Sequence, residues 1–316
     1  MTATTTDVLP WVLARVRVAS AERISPTFVR LELAAPELAD VGLPDESDGR
    51  WWDQRFKLVV PDPDTGGLTS VEGAEASWLG TWLDRPVGER GHMRTYTLRE
   101  LRGSGADTLL VVDIAVHDGD SGPGAQWAER AVVGDAAVVL LPRRGQPFGG
   151  IEFAPPAGST LLLAGDETAV PAICAVLEQL GDDARGVAFM EVPDAGDIQD
   201  VRHPVGVDVT WLVRTGEHGA ALATAVTAHL DTVDVTSLDL REETVGGAED
   251  IWETPTYSST GEEVGDAAAE AELYAWIAGE SGVVTALRRH LVRECGIDRS
   301  QVAFMGYWRR GVSMKS

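Results

Sequence analysis

The chain has few cations and few cysteines. Lysine occurs only at positions 57 and 315, and the 26 lysines and arginines stand against 50 aspartates and glutamates, which gives a formal net charge of −24 at pH 7. A surface this negative disfavours nucleic acid and anionic membranes as partners. The two isolated cysteines, Cys174 and Cys295, offer neither a disulfide framework nor a Cys-x-x-Cys metal site. We therefore expect no metal held by the protein itself.

Long apolar runs are also missing from the sequence. No run reaches the roughly 18 residues that a membrane span needs, and residues 1–10 lack the basic start and apolar core of a secretory signal. Hydrophobic residues make up 44% of the chain and charged residues 24%, which is ordinary for a globular protein. These features favour a cytoplasmic protein without membrane association, and we expect a monomer.

The spacing of apolar residues divides the chain into two halves. A length of 316 residues usually makes about two domains. The first half contains short strand patterns separated by turn-rich sequence, at 11–19, 27–34, 55–60, 93–99, 108–117 and 136–141. Six strands without long helices between them predict a closed antiparallel β-barrel domain over residues 1–150.

After residue 151 strands and helices alternate. Strands are predicted at 160–164, 186–192, 207–213, 272–278 and 302–307, and helices at 169–179, 220–229 and 281–295. This alternation predicts an α/β domain over 151–316 with a mainly parallel sheet, in which ligands bind beyond the carboxyl ends of the strands. An acidic, loop-rich stretch near 231–270 predicts a solvated insertion, although Trp252 and Tyr257 within it indicate that part of it docks against a domain.

The predicted strand at 93–99 carries a pattern suited to a flavin nucleotide. Alternation places Arg94 and Tyr96 on one face and Thr95 and Thr97 on the other. Tyr96 can cover the flavin ring, Arg94 can fork onto the pyrophosphate, and a threonine beside Tyr96 can bond the ring edge. An ordinary exposed strand is the alternative, because these residue types are common in strands.

A second pattern follows the next predicted strand. His117 ends that strand, Ser121 is a candidate N-cap for a short helix, and Gly122 and Gly124 let the backbone approach a ligand closely. A helix start with free amides binds anions, so it is suited to the same pyrophosphate. His117 is placed to stack on a ring or to bond a ribose. A tight surface turn with a solvated histidine is the alternative.

Together these motifs resemble the siderophore-interacting protein family, the FAD-dependent ferric-siderophore reductases built on the ferredoxin-reductase plan. The resemblance covers nearly the whole chain and rests on 94–97, His117 with 122–124 and Trp127, 165–173, 276–280 and 306–311. It implies that the barrel binds FAD through Arg94, Thr95, Tyr96, Thr97, His117, Gly122, Gly124 and Trp127. Gly124 and Ala125 stand where the family has a small or hydroxyl residue, so we expect no hydroxyl-to-phosphate bond there.

The resemblance also implies a site for NADPH or NADH in the second domain. Segments 165–168 and 279–282 follow strands and precede helices, so they would offer backbone amides to a pyrophosphate. Neither matches the Gly-x-Gly-x-x-Gly fingerprint, and a structural turn is the alternative for each. The residues assigned to this cofactor are Asp166, Glu167, Thr168, Ala169, Gly279 and Glu280. Trp211 and Arg214 end a strand near the expected site, and Arg214 is a further candidate for a phosphate.

In the family a basic pocket holds the substrate, an anionic catecholate or hydroxamate complex of iron. Lys57 interrupts an apolar strand and precedes Pro61, as the family's pocket lysine does. Arg143 or Arg144 matches the pocket arginine, and Arg309 lies in the last motif. Solvated edge charges are the alternative for all four cations.

The implied reaction is electron transfer, in which NAD(P)H reduces the flavin and the flavin reduces Fe(III) in the siderophore. No side chain is assigned as a catalytic acid or base, and an electron-donor protein is an alternative reductant. His203, His218 and His229 have no metal-ligand spacing and are expected at the surface. Two other functions stay open: a general flavin or ferredoxin-type reductase, and a non-enzymatic siderophore-binding protein.

Overall fold

The structure is a computed structural model that describes residues 9–45, 47–116, 122–230, 252–254, 257–258 and 272–311. The described residues form two compact units. The first takes its residues from Met1–Ile24 and Phe28–Ile151, and the second from Ser25–Thr27 and Glu152–Lys315. No helix in the described part of the chain has the length and apolar character that crossing a membrane requires.

The first unit contains an antiparallel sheet of seven strands. In chain order they are β1 (Trp11–Arg23), β2 (Phe28–Ala34), β3 (Arg55–Val60), β4 (His92–Thr97), β5 (Glu100–Arg102), β6 (Leu109–Ala115) and β7 (Ala136–Pro142). They lie in the order β4-β3-β7-β1-β2-β6-β5. The sheet forms a half-barrel, which confirms the predicted antiparallel fold class with one strand more than the six expected. The extra strand, β5, has only three residues, too few to show a period-2 pattern.

Alternation along the strands determines which face of this sheet forms the core. In β1, Val12, Ala14, Val16 and Val18 are buried, and the residues between them are more exposed. A smaller apolar cluster covers the other face, where Val59 and Val138 pack with two tryptophans of a short helix. The helices of this unit are α1 (Trp78–Leu83), α2 (Val87–Arg90) and α3 (Pro123–Arg130).

The second unit contains a mainly parallel sheet. Its strands are β8 (Thr160–Gly165), β9 (Gly186–Val192), β10 (Val207–Val213), β11 (Trp252–Thr254), β12 (Tyr257–Ser258), β13 (Leu273–Glu280) and β14 (Val302–Trp308). The order is β10-β9-β8-β13-β14-β11-β12, and the first five strands are parallel. The described helices are α4 (Val170–Gln179), α5 (Ala220–His229) and α6 (Ser281–Arg289). The predicted parallel sheet with helices is confirmed.

Continuous apolar runs build the centre of this sheet. Residues 161–164 of β8 and 274–278 of β13 are buried throughout, as strands covered on both faces require. The helix predicted at 281–295 is α-helical only to Arg289 and continues as one π-helical turn, His290–Glu294.

The predicted acidic insertion lies largely outside the described residues. Its two described pieces are β11 and β12. β11 pairs antiparallel with β14, with Trp252 opposite Met305, and β12 pairs with β11. This pairing confirms that part of the insertion joins the second domain, as Trp252 and Tyr257 indicated.

A short piece of the chain's beginning belongs to the second unit. Asp197, which is fully buried, accepts hydrogen bonds from the Ser25 hydroxyl at 2.6 Å and from the Thr27 amide and hydroxyl, each at 2.8 Å. Asp197 also receives the amide of Asp194 at 3.2 Å, which closes a capping box. One carboxylate therefore organises two loops of this unit.

Candidate functional site

Strand β4 and the start of α3 meet in the first unit. The register pairs Leu58 with Arg94 and Phe56 with Tyr96, so Arg94 and Tyr96 lie on the same face as two core residues. A Cβ added at Gly124 would lie 2.2 Å from the Tyr96 Oη and 3.4 Å from the Arg94 Cγ. A larger residue at position 124 would therefore have to displace the Tyr96 hydroxyl, and the three residues that the sequence assigns to one cofactor lie together.

Among the described residues, no side chain caps the start of α3. Gly122 is its N-cap residue, in an extended conformation and without a side-chain cap, and Pro123 at the first turn has no amide to satisfy. Amides at such a helix start favour a negatively charged ligand. Gly122 and Gly124 thus lie where the sequence predicts a pyrophosphate.

Arg94 and Tyr96 supply the remaining chemistry of a flavin nucleotide site. Burial lowers the pKa of the Arg94 guanidinium and raises the pKa of the Tyr96 phenol to about 12, so Tyr96 is a neutral ring. The Arg94 Nη1 donates to the Met93 carbonyl at 2.7 Å, which orients the guanidinium. A guanidinium, an uncapped helix start and an aromatic ring fit the diphosphate and the ring of FAD.

Thr95 and Lys57 lie on the opposite face of the same strands. They are directly paired, and the Lys57 Nζ donates to the Thr95 Oγ1 at 2.7 Å. Lys57 is also opposite Leu140 on β7, and it shares its sheet face with Val59 and Val138 of the smaller apolar cluster. Desolvation, and then the charge of Arg55, lowers the pKa of Lys57. Thr97 lies on this face too and is buried.

Three other residues assigned to ligands in the sequence analysis contact other parts of the first unit. Arg143 donates to the Leu9 carbonyl and to Asp40, each at 2.7 Å, and Arg144 donates to the Val41 carbonyl at 3.1 Å. Trp127 packs against the core of this unit. The roles of these three residues toward ligands stay predictions. His117 and Ser121 lie outside the described residues, and Arg309, of the second unit, follows β14 as a half-buried residue.

Asp166 is the centre of the candidate site in the second unit, at the carboxyl end of β8. Its carboxylate accepts the Thr168 amide at 2.9 Å, the Thr168 hydroxyl at 2.5 Å, the Glu280 amide at 2.8 Å and the Trp308 indole at 2.9 Å. Burial alone would raise the pKa of Asp166, but His218, Thr168 and Trp308 outweigh it and hold the pKa below its usual value. Gly279 has φ +144, and a Cβ there would lie 2.7 Å from the Asp166 Cγ.

The amides expected to bind a pyrophosphate in this unit already have partners. The Glu280 carboxylate caps α6 by accepting the amides of Gly282 at 2.7 Å and Val283 at 3.0 Å. Asp166 does the same for the amide of Thr168 before α4. An incoming pyrophosphate would have to displace these carboxylates and would be repelled by them. In this structure the amides of Thr168, Gly282 and Val283 thus bond to carboxylates, and the binding of a pyrophosphate at these two helix starts stays a prediction.

Arg214 is held between two buried carboxylates. It pairs with Glu167 through Nη2 and with Glu191 through Nε at 2.8 Å. Glu191 also accepts the amides of Gly219 at 2.8 Å and Leu222 at 3.1 Å, at the start of α5. The Arg214 guanidinium, which the sequence analysis names as a candidate for binding a phosphate, thus donates to two carboxylates of the protein.

His218 lies beside this network, and its predicted surface position is wrong. Its side chain is only 6% exposed, and its ring meets the Trp308 ring edge-on at 5.1 Å. Burial by itself would lower the pKa of His218, but the carboxylates of Asp166 and Glu167 raise it to about 9. The other two histidines, His203 and His229, are exposed as expected.

Sequence reasoning missed three members of this network: Glu191, His218 and Trp308. Glu191 is the penultimate residue of β9. A signal for it was available, because the carboxyl ends of parallel strands meet at one edge of the sheet. His218 lies in a loop, and nothing in its local sequence marks it as buried.

Comparison with known proteins matches both halves of the chain. Residues 17–146 match the family model described as siderophore-interacting FAD-binding domain, and residues 158–311 match the one described as siderophore-interacting protein. The ferric vibriobactin reductase ViuB of Vibrio cholerae is 28% identical over 290 residues, which cover 91% of this chain and 86% of that protein. An uncharacterised protein of Mycobacterium tuberculosis is 30% identical over 298 residues, with 93% and 89% covered.

Two solved structures share the fold over almost their whole length. The siderophore-interacting protein SipS from Aeromonas hydrophila superposes with a TM-score of 0.65 and 27% identity, covering 95% of this chain and 93% of that one. A siderophore utilization protein from T. fusca gives 0.64 and 28%, covering 98% and 97%. A ferredoxin reductase of carbazole 1,9a-dioxygenase, at 15% identity and a TM-score of 0.54, shares the fold alone.

Proposed function

The chain belongs to the siderophore-interacting protein family, and on this premise we propose that it is an FAD-dependent ferric-siderophore reductase. It would pass electrons from NADPH or NADH through FAD to siderophore-bound Fe(III) and release Fe(II) for iron assimilation. The observation that carries the proposal is the meeting of Arg94, Tyr96 and the uncapped start of α3, inside the part that matches the FAD-binding model. The name of the Vibrio cholerae relative supports the same activity.

Each residue of the FAD site has a distinct task in this proposal. Arg94 and the first amides of α3 bind the diphosphate, and Tyr96 covers the ring as a neutral, half-buried aromatic. The flavin, when bound, supplies the redox chemistry, while the protein supplies position and charge. No acid or base of the protein is needed, because the reaction at iron is electron transfer.

Lys57 is the residue that we propose to receive the siderophore complex. It is exposed and carries one of only two lysine charges in a chain of net charge −24. A local cation on a negative protein attracts an anionic complex to its own position. Reduction to Fe(II) then weakens the bond to hard oxygen ligands, so the ion leaves the siderophore.

NADPH or NADH remains the proposed electron source, with an electron-donor protein as the alternative. Because the amides of Thr168, Gly282 and Val283 bond to carboxylates, a nicotinamide dinucleotide would bind its pyrophosphate there only by displacing those carboxylates. We therefore derive no binding geometry for it.

Anaerobic stopped-flow spectroscopy tests the proposed activity. We expect the purified protein to be yellow, to be bleached by NADH or NADPH, and to be reoxidised by ferric catecholates or hydroxamates faster than by cytochrome c or free flavin. Faster oxidation by cytochrome c or an iron–sulfur protein would favour a general reductase. A flavin that no donor reduces, with the siderophore still bound, would favour a non-enzymatic carrier.

We expect Lys57→Ala to lower kcat/KM for anionic ferric siderophores by about 10-fold or more, which corresponds to roughly 1.4 kcal/mol. The loss follows from removing the charge that attracts the complex. Neutral acceptors should be reduced at nearly the wild-type rate, and added salt should narrow the difference for anionic ones. Steady-state kinetics with acceptors of different charge measure the effect.

Arg15→Ala is the matched control for this variant. Arg15 is an exposed cation on β1, opposite Val138, and Val138 is in turn opposite Val59, so it lies on the same sheet face as Lys57. Equal losses in both variants would point to a general charge effect. Equal losses for anionic and neutral acceptors in Lys57→Ala would assign Lys57 to the fold.

A further inference from the structure

Three potential metal-ligand atoms converge at the carboxyl ends of the parallel strands. They are a carboxylate oxygen of Asp166, a carboxylate oxygen of Glu167 and a ring nitrogen of His218, all within 4.8 Å of one another. Both carboxylate side chains are 2% exposed and the His218 side chain is 6% exposed. Sequence patterns do not predict this cluster, because His218 lies far from the other two residues along the chain.

The His218 ring faces the two carboxylates at ion-pair distance, beyond the length of a good hydrogen bond. Its Nε2 lies 3.4 Å from the Asp166 Oδ2 and 3.6 Å from the Glu167 Oε2, and neither ring nitrogen has a hydrogen-bond partner although both are buried. These separations exceed good hydrogen bonds, which are about 2.7–3.2 Å long. Two ligand atoms that each lie about 2.1 Å from a tetrahedral ion are about 3.4 Å apart. The spacing therefore suits ligands that share a cation.

The surroundings hold the two carboxylates in place. The Trp308 indole and the Glu280 amide bond to the Asp166 Oδ2, and Arg214 bonds to Glu167. Such outer partners orient the ligands of metal sites. Glu191 adds a further buried negative charge, which shares Arg214 with Glu167. Asp166, Glu167 and Glu191 carry three negative charges against Arg214 and a protonated His218, which leaves one negative charge in excess among these residues. A buried excess of negative charge is costly unless a further cation offsets it.

We propose that Asp166, Glu167 and His218 form a binding site for a divalent transition-metal ion. One imidazole and two carboxylates are a nitrogen and oxygen donor set that suits Zn²⁺, Fe²⁺ or Mn²⁺. Three protein ligands leave at least one position for water or another ligand. The site lies within the second unit and requires neither FAD nor a siderophore. Metal binding can therefore be tested independently of the proposed reductase activity.

Metal titration of the full-length flavoprotein tests the site. After treatment with a chelator and its removal, we expect one equivalent of Zn²⁺ to bind in isothermal titration calorimetry. His218→Ala should weaken this binding by at least about 100-fold, because loss of a direct ligand costs more than the 10- to 100-fold typical of outer partners. His203→Ala, which removes an exposed histidine of the same unit, should bind as the wild type does.

Electron spin-echo measurements with Mn²⁺ detect a coordinated histidine nitrogen in the wild-type protein, and a conservative variant then assigns it to His218. We expect a histidine nitrogen coupled to Mn²⁺ in the wild type and in His203→Ala. His218→Asn, which keeps a polar side chain of similar size, should lose that coupling. Absence of stoichiometric binding, of nitrogen coupling in the wild type, or of any difference between His218→Asn and His203→Ala would overturn the proposal and leave only adventitious binding to surface carboxylates.

Discussion

Replacing Glu191 with alanine is expected to lower the free energy of unfolding of the second unit by about 3 kcal/mol or more. Glu191 is 0% exposed, shares Arg214 with Glu167 and accepts two amides at the start of α5. Without Glu191, the largely buried Arg214 guanidinium keeps only one carboxylate partner, Glu167. The buried amides of Gly219 and Leu222 also lose their hydrogen-bond acceptor, and water does not easily replace it. Both losses follow from this one substitution, because the same carboxylate bonds to Arg214 and to the two amides.

Urea denaturation and amide hydrogen exchange measure this effect. Two units need not unfold together, so exchange at Gly219 and Leu222 reports on the second unit directly. These amides should lose protection in Glu191→Ala before the amides of the first sheet do. Asp208→Ala, an exposed carboxylate on the neighbouring strand, is the control and should change stability by less than about 0.5 kcal/mol. Glu191→Ala protein as stable as Asp208→Ala would mean that Arg214 and α5 have other support.

Reversing the charge of Arg94 is the second large expected effect. We expect Arg94→Glu to raise the Kd for FAD by about 100-fold or more, equivalent to about 2.7 kcal/mol. The change removes a charge-assisted contact to the diphosphate, worth about 1.5–3 kcal/mol, and adds repulsion. Arg94→Ala should lose only the contact and weaken FAD binding by about 10-fold or more. Fluorescence titration of the apoprotein with FAD measures both variants.

Arg130→Glu is the matched control for charge. It makes the same change of net charge at the other end of α3, where Arg130 is exposed and donates to the Gln126 carbonyl at 3.0 Å. FAD affinity should be almost unaffected there, and the circular dichroism spectra of both variants should match the wild type. If Arg94→Glu retains full flavin, the Arg94 guanidinium does not bind the cofactor, and its role is the hydrogen bond to the Met93 carbonyl.

The fold class follows from the sequence because burial patterns differ between its halves. β1 alternates buried and exposed positions as a sheet with one covered core face requires, whereas 274–278 is apolar throughout, as a parallel central strand requires. The elements that the sequence did not predict are short or irregular. β5 has three residues, and the π-helical turn at His290–Glu294 continues an apolar pattern that an ordinary helix would also show.

The first site was more predictable than the second for a physical reason. Arg94 and Tyr96 are two residues apart on one strand, so alternation alone puts them on one face. Their contact with Gly124 needed only the motif order that the family resemblance supplied. In the second unit, the sequence assigns Glu280 to a cofactor, and only the direction of its side chain shows that its carboxylate accepts the first amides of α6. Single sequences carry no such direction.

Asp197 determines how this protein can be divided and recombined. A fragment that starts at Glu152 would lack Ser25 and Thr27, and a fully buried carboxylate would lose three of its donors. Unsatisfied buried charges of this kind destabilise a fold by several kcal/mol, so about 3 kcal/mol or more is at stake. A chimera with a related reductase would keep its α/β half intact only if residues 25–27 and Asp197 came from the same parent. The boundary between exchangeable parts is therefore set by a hydrogen-bonded loop and not by a single cut in the sequence.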